Sequence, residues 1–382
     1  MIPSRRSAIA PFEVMEVMEA AARLERRGRR VLHLEVGQPS TPAPRAVLAA
    51  AAAALQDDVL GYTVSTGLLP LRQAIAAHYA RTYGCEVSPD RVCVTTGSSG
   101  AFLLAFIAAF DAGARVAVAA PSYPCYRNIL QSLDVEVVEV PCGADTRYEL
   151  TPELLGGLGR VDGVIVASPS NPTGSMIDEA GLRAISAWCD AHGAVLISDE
   201  IYHGIQYGRP ATTAVAVSDA AFVVNSFSKY FSMTGWRVGW MIAPPEAVRA
   251  VEKLMQNLFI SAPTLAQLAA VAAFDAREEL EGHVARYAAS RAVLLSALPR
   301  LGVERLAPPD GAFYVYADVT PWTDDSVAFC ARLLEATGVA ITPGIDFDPA
   351  RGRSFVRFSY AADTPIVAEA MQRLEAFVRS GT

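Results

Sequence analysis

Of the 32 basic residues in this chain only Lys229 and Lys253 are lysines; the others are arginines. An arginine stays protonated, whereas a lysine amine can lose its proton and attack a carbonyl to form an imine. Lys253 stands in AVEKLMQ, a helical pattern that reads as a solvated face. Lys229 stands in SFSKYFSMTGWRVGW, among hydroxyls and ahead of Arg237. The chemistry this points to is a Schiff base at Lys229.

Such a lysine needs its carbonyl partner held in place. A phosphate-bearing partner is held by backbone N–H groups at a helix N-terminus, by hydroxyls and by an arginine. TTGSSGAF supplies a turn at Gly97 with Ser98 and Ser99 at the start of an apolar helix, although Gly-Ser turns are also ordinary caps. Ser226, Ser228 and Arg237 bracket Lys229 and complete a phosphate cup. Asp199 closes the apolar run AVLISD; a buried carboxylate needs a partner, which a protonated pyridine nitrogen would supply, or else it caps the next helix. Tyr202 and Asn171 are potential donors to a ring phenolate oxygen, although N-P-T-G is equally a turn. Tyr123 in PSYPCY suits stacking on an aromatic ring or a place in the core.

The elements that must position these residues are short apolar, β-branched runs ending in polar, Gly- or Pro-rich turns. They are RVCVTTGSSG, RVAVAAPSYP, GVIVASPSNPTG, AVLISDEIY and AFVVNSFSK, with helical patterns such as EAGLRAISAWCDAHG between them. That alternation predicts an α/β fold with a mostly parallel, doubly wound sheet, whose ligands bind at the carboxyl ends of the strands. The candidate site residues all fall at those ends. Residues 264–298 read as one long connecting helix broken by Pro299, and DGAFYVYADV onward as a smaller α/β domain joined by the N-terminal segment. The expected division is a large domain over 45–290 and a small one over 1–44 and 291–382.

Composition bounds the function. The net charge of -8 and the lack of a long basic run argue against a nucleic-acid groove. The apolar fraction of 52% suits a large core and a buried subunit interface. Six scattered cysteines without a C-x-x-C pair, and no apolar leader, predict a cytoplasmic protein with reduced thiols. The longest apolar run, residues 101–110, is too short to span a bilayer. The five histidines have no metal-ligand spacing, so no metal is expected.

SNPTG, SDEIY and SFSKYFSMTGWRVGW, in this order and spacing, resemble the class I/II aminotransferases, which are fold-type I pyridoxal phosphate enzymes. The resemblance runs from IAPFEVMEV and LEVGQPS to VRFSYA. It implies a large domain with a mostly parallel seven-stranded sheet flanked by helices, plus a smaller α/β domain. It implies pyridoxal 5'-phosphate as cofactor and Lys229 as the lysine of the internal aldimine. Asp199 then partners the pyridine nitrogen, Asn171 and Tyr202 donate to the phenolic oxygen, and Tyr123 stacks on the ring. Ser98, Ser99, Ser226, Ser228 and Arg237 form the phosphate cup. Arg357 clamps the substrate α-carboxylate, and Gly37 lets backbone approach the substrate. Tyr62 reaches the neighbouring active site across a homodimer, and the bond before Pro172 is cis.

The implied activity is a ping-pong transfer of the amino group of an L-amino acid to a 2-oxo acid, with β-elimination or decarboxylation on the same scaffold as the alternative. A regulator would need an added DNA-binding segment, for which the matched region leaves no room, and a Rossmann dehydrogenase would need a G-x-G-x-x-G after the first strands. One departure is PGIDFD, with Asp348 where the family often has glycine. Phe12, Tyr314 and the FYVY run suit an apolar side pocket or the core.

Overall fold

The apolar runs form a seven-stranded sheet in the computed structural model, which describes residues 3–380. Its spatial order is Val92–Thr95, Gly239–Ile242, Phe222–Ser226, Val195–Asp199, Gly163–Ala167, Arg115–Ala120, Glu136–Pro141. All neighbours are parallel except Gly239–Ile242, which runs antiparallel to both of its partners. Reversal there needs only a loop, whereas each parallel pair needs a crossover. The loop 227–238 makes that reversal and carries both Lys229 and Arg237 back to the edge where Ser226 pairs with Gly239. Phe222–Ser226 and Gly239–Ile242 are buried along their length and Val195–Asp199 all but at its first residue, as expected for a sheet covered on both faces.

Helix Gly97–Ala109 follows the first strand and is apolar nearly all round; seven of its residues are buried. Helix Glu179–His192 is capped by Asp178, whose side chain accepts from the Gly181 N–H, and ends at Gly193 in the left-handed conformation. A second, antiparallel sheet holds Thr342–Pro343, Phe355–Ser359 and Tyr314–Asp318. Leu32–His33 pairs in parallel with Val339–Ala340, so the N-terminal segment is tied to the later part of the chain. Leu32 and Leu34 share a core with Leu294, Val315, Phe329 and Leu374.

The long helix expected over 264–298 is two helices. Thr264–Val271 ends in a 3-10 turn, Ala272–Asp275, and Arg277–Arg300 follows. The break turns Phe274 inward, where its ring packs against His78, Phe227 and Phe231 at 5.2–5.4 Å between centroids. Pro299 does not break the second helix; it sits in the last turn, where little helix remains to disrupt. No helix among the described residues is long and apolar enough to cross a membrane.

Candidate active site

Four strand ends and the loop 227–238 converge on one cavity of about 200 Å³. Ser98, Ser99, Tyr123, Asn171, Asp199, Tyr202, Ser228, Lys229 and Arg237 line it, joined by Gly37 and Arg357. Two of the expected residues do not. Ser226 lies behind the wall, where its Oγ accepts from the Ser228 N–H at 3.1 Å and sits 2.9 Å from Ser228 Oγ. Tyr62 is 83% exposed on the surface of the single chain.

Lys229 is half-buried, and its Nζ donates to the Gly37 carbonyl at 2.6 Å. Burial, helped by the positive charges of Arg357 and Arg237, lowers its pKa to about 8, against the opposing pull of Asp199. Burial raises Asp199 to about 6, although the Tyr126 hydroxyl and the Ile201 N–H both donate to it and Lys229 is near. The Tyr202 hydroxyl lies 2.7 Å from that of Tyr314.

Arg357 is held in the antiparallel sheet opposite Tyr316 and Thr342. Its Nη1 donates to Asn171 Oδ1 at 2.8 Å, and its Nη2 to the Glu35 carbonyl and to Thr342 Oγ1. Its Nε is buried without a partner, and among the described residues it makes no ion pair. The guanidinium lies 4.4 Å from the Tyr314 ring centre and 4.7 Å from that of Phe347. A buried cation held only by neutral acceptors and ring faces is poised for an anion.

Arg237, also on the cavity wall, donates among the described residues only to carbonyls, those of Thr234 at 3.1 Å and Thr96 at 3.5 Å. It presses on Gly97: a Cβ there would stand 2.5 Å from Nη2, and the φ of +76° suits only glycine. The cup thus joins a helix N-terminus, serine hydroxyls and an arginine free of carboxylates, which is the donor set for a phosphate. The buried carboxylate Asp199, in the same cavity, suits a protonated ring nitrogen, so the residues present fit pyridoxal phosphate.

The chain matches the model of the family "aminotransferase class I and II" over residues 29–374. The chain belongs to this family. It is 54% identical to the valine–pyruvate aminotransferase of Mycobacterium tuberculosis over 98% of each chain. Its fold superposes on the crystal structure of an aminotransferase from Mycobacterium tuberculosis with a TM-score of 0.98, at 53% identity over the whole of both chains. The aspartate aminotransferase of Thermus thermophilus with maleate gives 0.93 at 32% identity, covering 99% of this chain and 100% of that one. The protein is therefore a transaminase, moving an amino group to a 2-oxo acid.

Sequence reading missed the supports of the site. Tyr126 holds Asp199 from one helical turn beyond Tyr123, and the spacing of PSYPCY was the available signal. Thr234 also lines the cavity, as do Val14, Met15 and Met18 from helix Glu13–Arg26. Phe12 and Tyr314, where side pocket and core were both open, line the cavity. Asp348, the departure from the family pattern, is buried away from it. It accepts from the Ala350 and Arg351 N–H groups and pairs with Arg351 Nε at 2.7 Å. Arg351 in turn donates to the carbonyls of Ala120 and Cys142. The peptide bond before Pro172 is cis, as are those before Pro121 and Pro169.

Proposed function

We propose that the chain transfers the amino group of a branched aliphatic L-amino acid, valine first, to pyruvate by a ping-pong cycle with pyridoxal 5'-phosphate. The observation that carries the reading is one cavity holding a half-buried amine, Lys229, and a buried guanidinium, Arg357, neither hydrogen-bonded to a carboxylate among the described residues. The valine–pyruvate choice rests on the 54% identical relative and on the remaining wall, Phe12, Val14, Met15, Met18, Val36 and Ile201, which is apolar.

When bound, pyridoxal phosphate supplies an electrophilic aldehyde and a ring that accepts the electron pair of the broken α C–H bond. Ser98, Ser99, Ser228 and Arg237 hold the phosphate, with Ser226 fixing the Ser228 hydroxyl. Tyr123 would hold the ring by stacking, and Asp199 would hold its protonated nitrogen. Asn171 spends its Oδ1 on Arg357, which leaves Nδ2 as a donor that, with the Tyr202 hydroxyl, would hold the ring oxygen. Arg357 receives the substrate carboxylate, and Gly37 gives it room. Lys229, with a pKa near 8, is the base that takes the α proton and returns it.

The reading includes a homodimer in which Tyr62 completes the phosphate cup of the neighbouring subunit; its exposure in the single chain supports this. It keeps the division into a large domain over 45–290 and a small one over 1–44 and 291–382. It also keeps a cytoplasmic location, with all six cysteines as free thiols. The test is the absorbance spectrum of protein loaded with pyridoxal phosphate, before and after L-valine, with no oxo acid added. Conversion to the aminated cofactor with one oxo acid released per site supports the proposal. Ammonia or carbon dioxide instead would move the activity to elimination or decarboxylation.

A further inference from the structure

Helix Glu13–Arg26 supplies the apolar wall of the cavity, yet it has no cap of its own: its N-cap residue is Phe12, whose side chain accepts nothing. The first N–H groups of a helix need acceptors. Here they come from far along the chain. Glu13 N donates to Asp346 Oδ1 at 3.2 Å and Val14 N to Asp346 Oδ2 at 3.3 Å. Asp346 is buried, in the turn Gly344–Asp346.

That turn is fixed to the rest of the site on three sides. Arg127 Nη2 donates to the Asp346 carbonyl at 3.2 Å. The Phe347 carbonyl accepts from Ser122 N at 3.0 Å, beside Tyr123, and the Phe347 ring lies against Arg357. Asp348 pairs with Arg351, which reaches the end of the Arg115–Ala120 strand. One turn therefore holds the start of the helix and the face of the guanidinium in a common frame. Phe12, edge-on to Tyr123 at 5.9 Å, belongs to the same frame.

We infer that Asp346 is a positioning residue that sets the distance between the apolar wall of helix Glu13–Arg26 and Arg357, and so selects substrates by side-chain size. This rests on the proposed function, in which Arg357 receives the substrate carboxylate and the apolar wall receives its side chain. A substrate fixed at Arg357 and reaching the wall senses the helix position; alanine, whose side chain is a single methyl, senses it least. Asp346 touches no substrate in this scheme.

The experiment compares L-valine and L-alanine as amino donors in the loaded enzyme, with hydrogen exchange of residues 13–18 measured alongside. Asp346→Ala should lower kcat/KM for valine by roughly tenfold, through KM, and for alanine by less than about threefold, while exchange of the 13–18 amides speeds up. Asp346→Asn keeps a side-chain acceptor and should recover most of the valine preference; a purely electrostatic role would leave it as impaired as the alanine variant. Glu13→Pro removes one donor at the first helical position, where proline is tolerated, and should shift the preference less but in the same direction. It serves if Asp346→Ala does not fold. An unchanged valine-to-alanine ratio in these variants, or slow exchange in Asp346→Ala, overturns the inference. If the wild type uses neither amino acid, the proposed function fails, and the exchange data still decide whether Asp346 holds the helix.

Discussion

A Cβ at position 37 would stand 1.6 Å from the hydroxyl oxygen of Tyr314. No rotamer shift of a few tenths of an ångström accommodates that approach, so any side chain at Gly37 must expel the tyrosine. Tyr314 is itself hydrogen-bonded to Tyr202, and the Gly37 carbonyl is the acceptor for Lys229. One glycine thus sets the places of a phenol pair and of the amine.

Gly37→Ala should therefore damage both catalysis and stability. Overpacking of this kind costs about 1–3 kcal/mol. Displacement of reacting groups by an ångström lowers turnover by roughly a hundredfold. Steady-state kinetics and urea unfolding of the same variant check both numbers. A variant with wild-type kcat and KM would show that the contact has no bearing on the reaction.

Lys229 admits a two-part prediction. Lys229→Ala and Lys229→Arg should each lower turnover by at least about 10²–10⁴-fold, because neither leaves a base at the α carbon. Activity within tenfold of the wild type in either variant sinks the assignment. Stability should move in the opposite direction. The folded pKa of about 8 lies below the ordinary 10.5, so between these values the unfolded chain binds more protons and stability rises with pH. Below about pH 8 the partly desolvated cation is a cost, so Lys229→Met should raise the Tm of cofactor-free protein at pH 7.

Residues that act by local pattern were legible in the sequence, and residues that act by long-range contact were not. Asp199 and Asn171 lie at strand ends marked by β-branched runs and turn residues, so their shared edge follows from the alternation of elements. Ser226 looked equivalent to Ser228 because both are serines beside Lys229. In a continuing strand the two would share a face; the strand stops at Ser226, paired with Gly239, and the turn beyond it brings only Ser228 to the cavity. Asp346 and Glu13 are more than 300 positions apart, and nothing in either neighbourhood announces the bond between them. The helix break before Arg277 had no glycine or proline to signal it; the pull of the aromatic cluster on Phe274 decided it.

Asp348 shows how a departure from a family pattern can be structural. Its carboxylate is buried and meets two backbone N–H groups and Arg351, which carries the connection on to the carbonyls of Ala120 and Cys142. Removing one member of such a pair strands the other's hydrogen bonds, at about 3 kcal/mol where both are buried and less here because Arg351 is partly exposed. Asp348→Ala should destabilise the protein by about 2 kcal/mol, and Asp348→Gly by a similar amount despite restoring the usual family residue. Urea midpoints of the two variants check this; a stabilised Asp348→Gly protein would contradict it.

A change of pH reaches the site through His33 and Glu35. His33 Nδ1 lies 2.8 Å from Glu35 Oε1 and its Nε2 lies 3.1 Å from Glu25 Oε1. The hydrogen bond to Glu35 is the main cause that raises His33 to about 9, against the opposing effect of burial. The folded value lies above the ordinary 6.5. Its stabilisation is therefore complete below about pH 6.5 and is lost as pH rises through about 9. The imidazole is partly solvated, so screening reduces the contribution to about 1 kcal/mol. The difference in unfolding free energy between wild type and His33→Gln should be largest at pH 6 and smallest at pH 9.5; a constant difference would refute the charge-based account. The backbone carbonyl of the same Glu35 accepts from Arg357 and from Thr342. Loosening its side chain at high pH should therefore also raise KM for amino acids, and His33→Gln should show that raised KM already at pH 7.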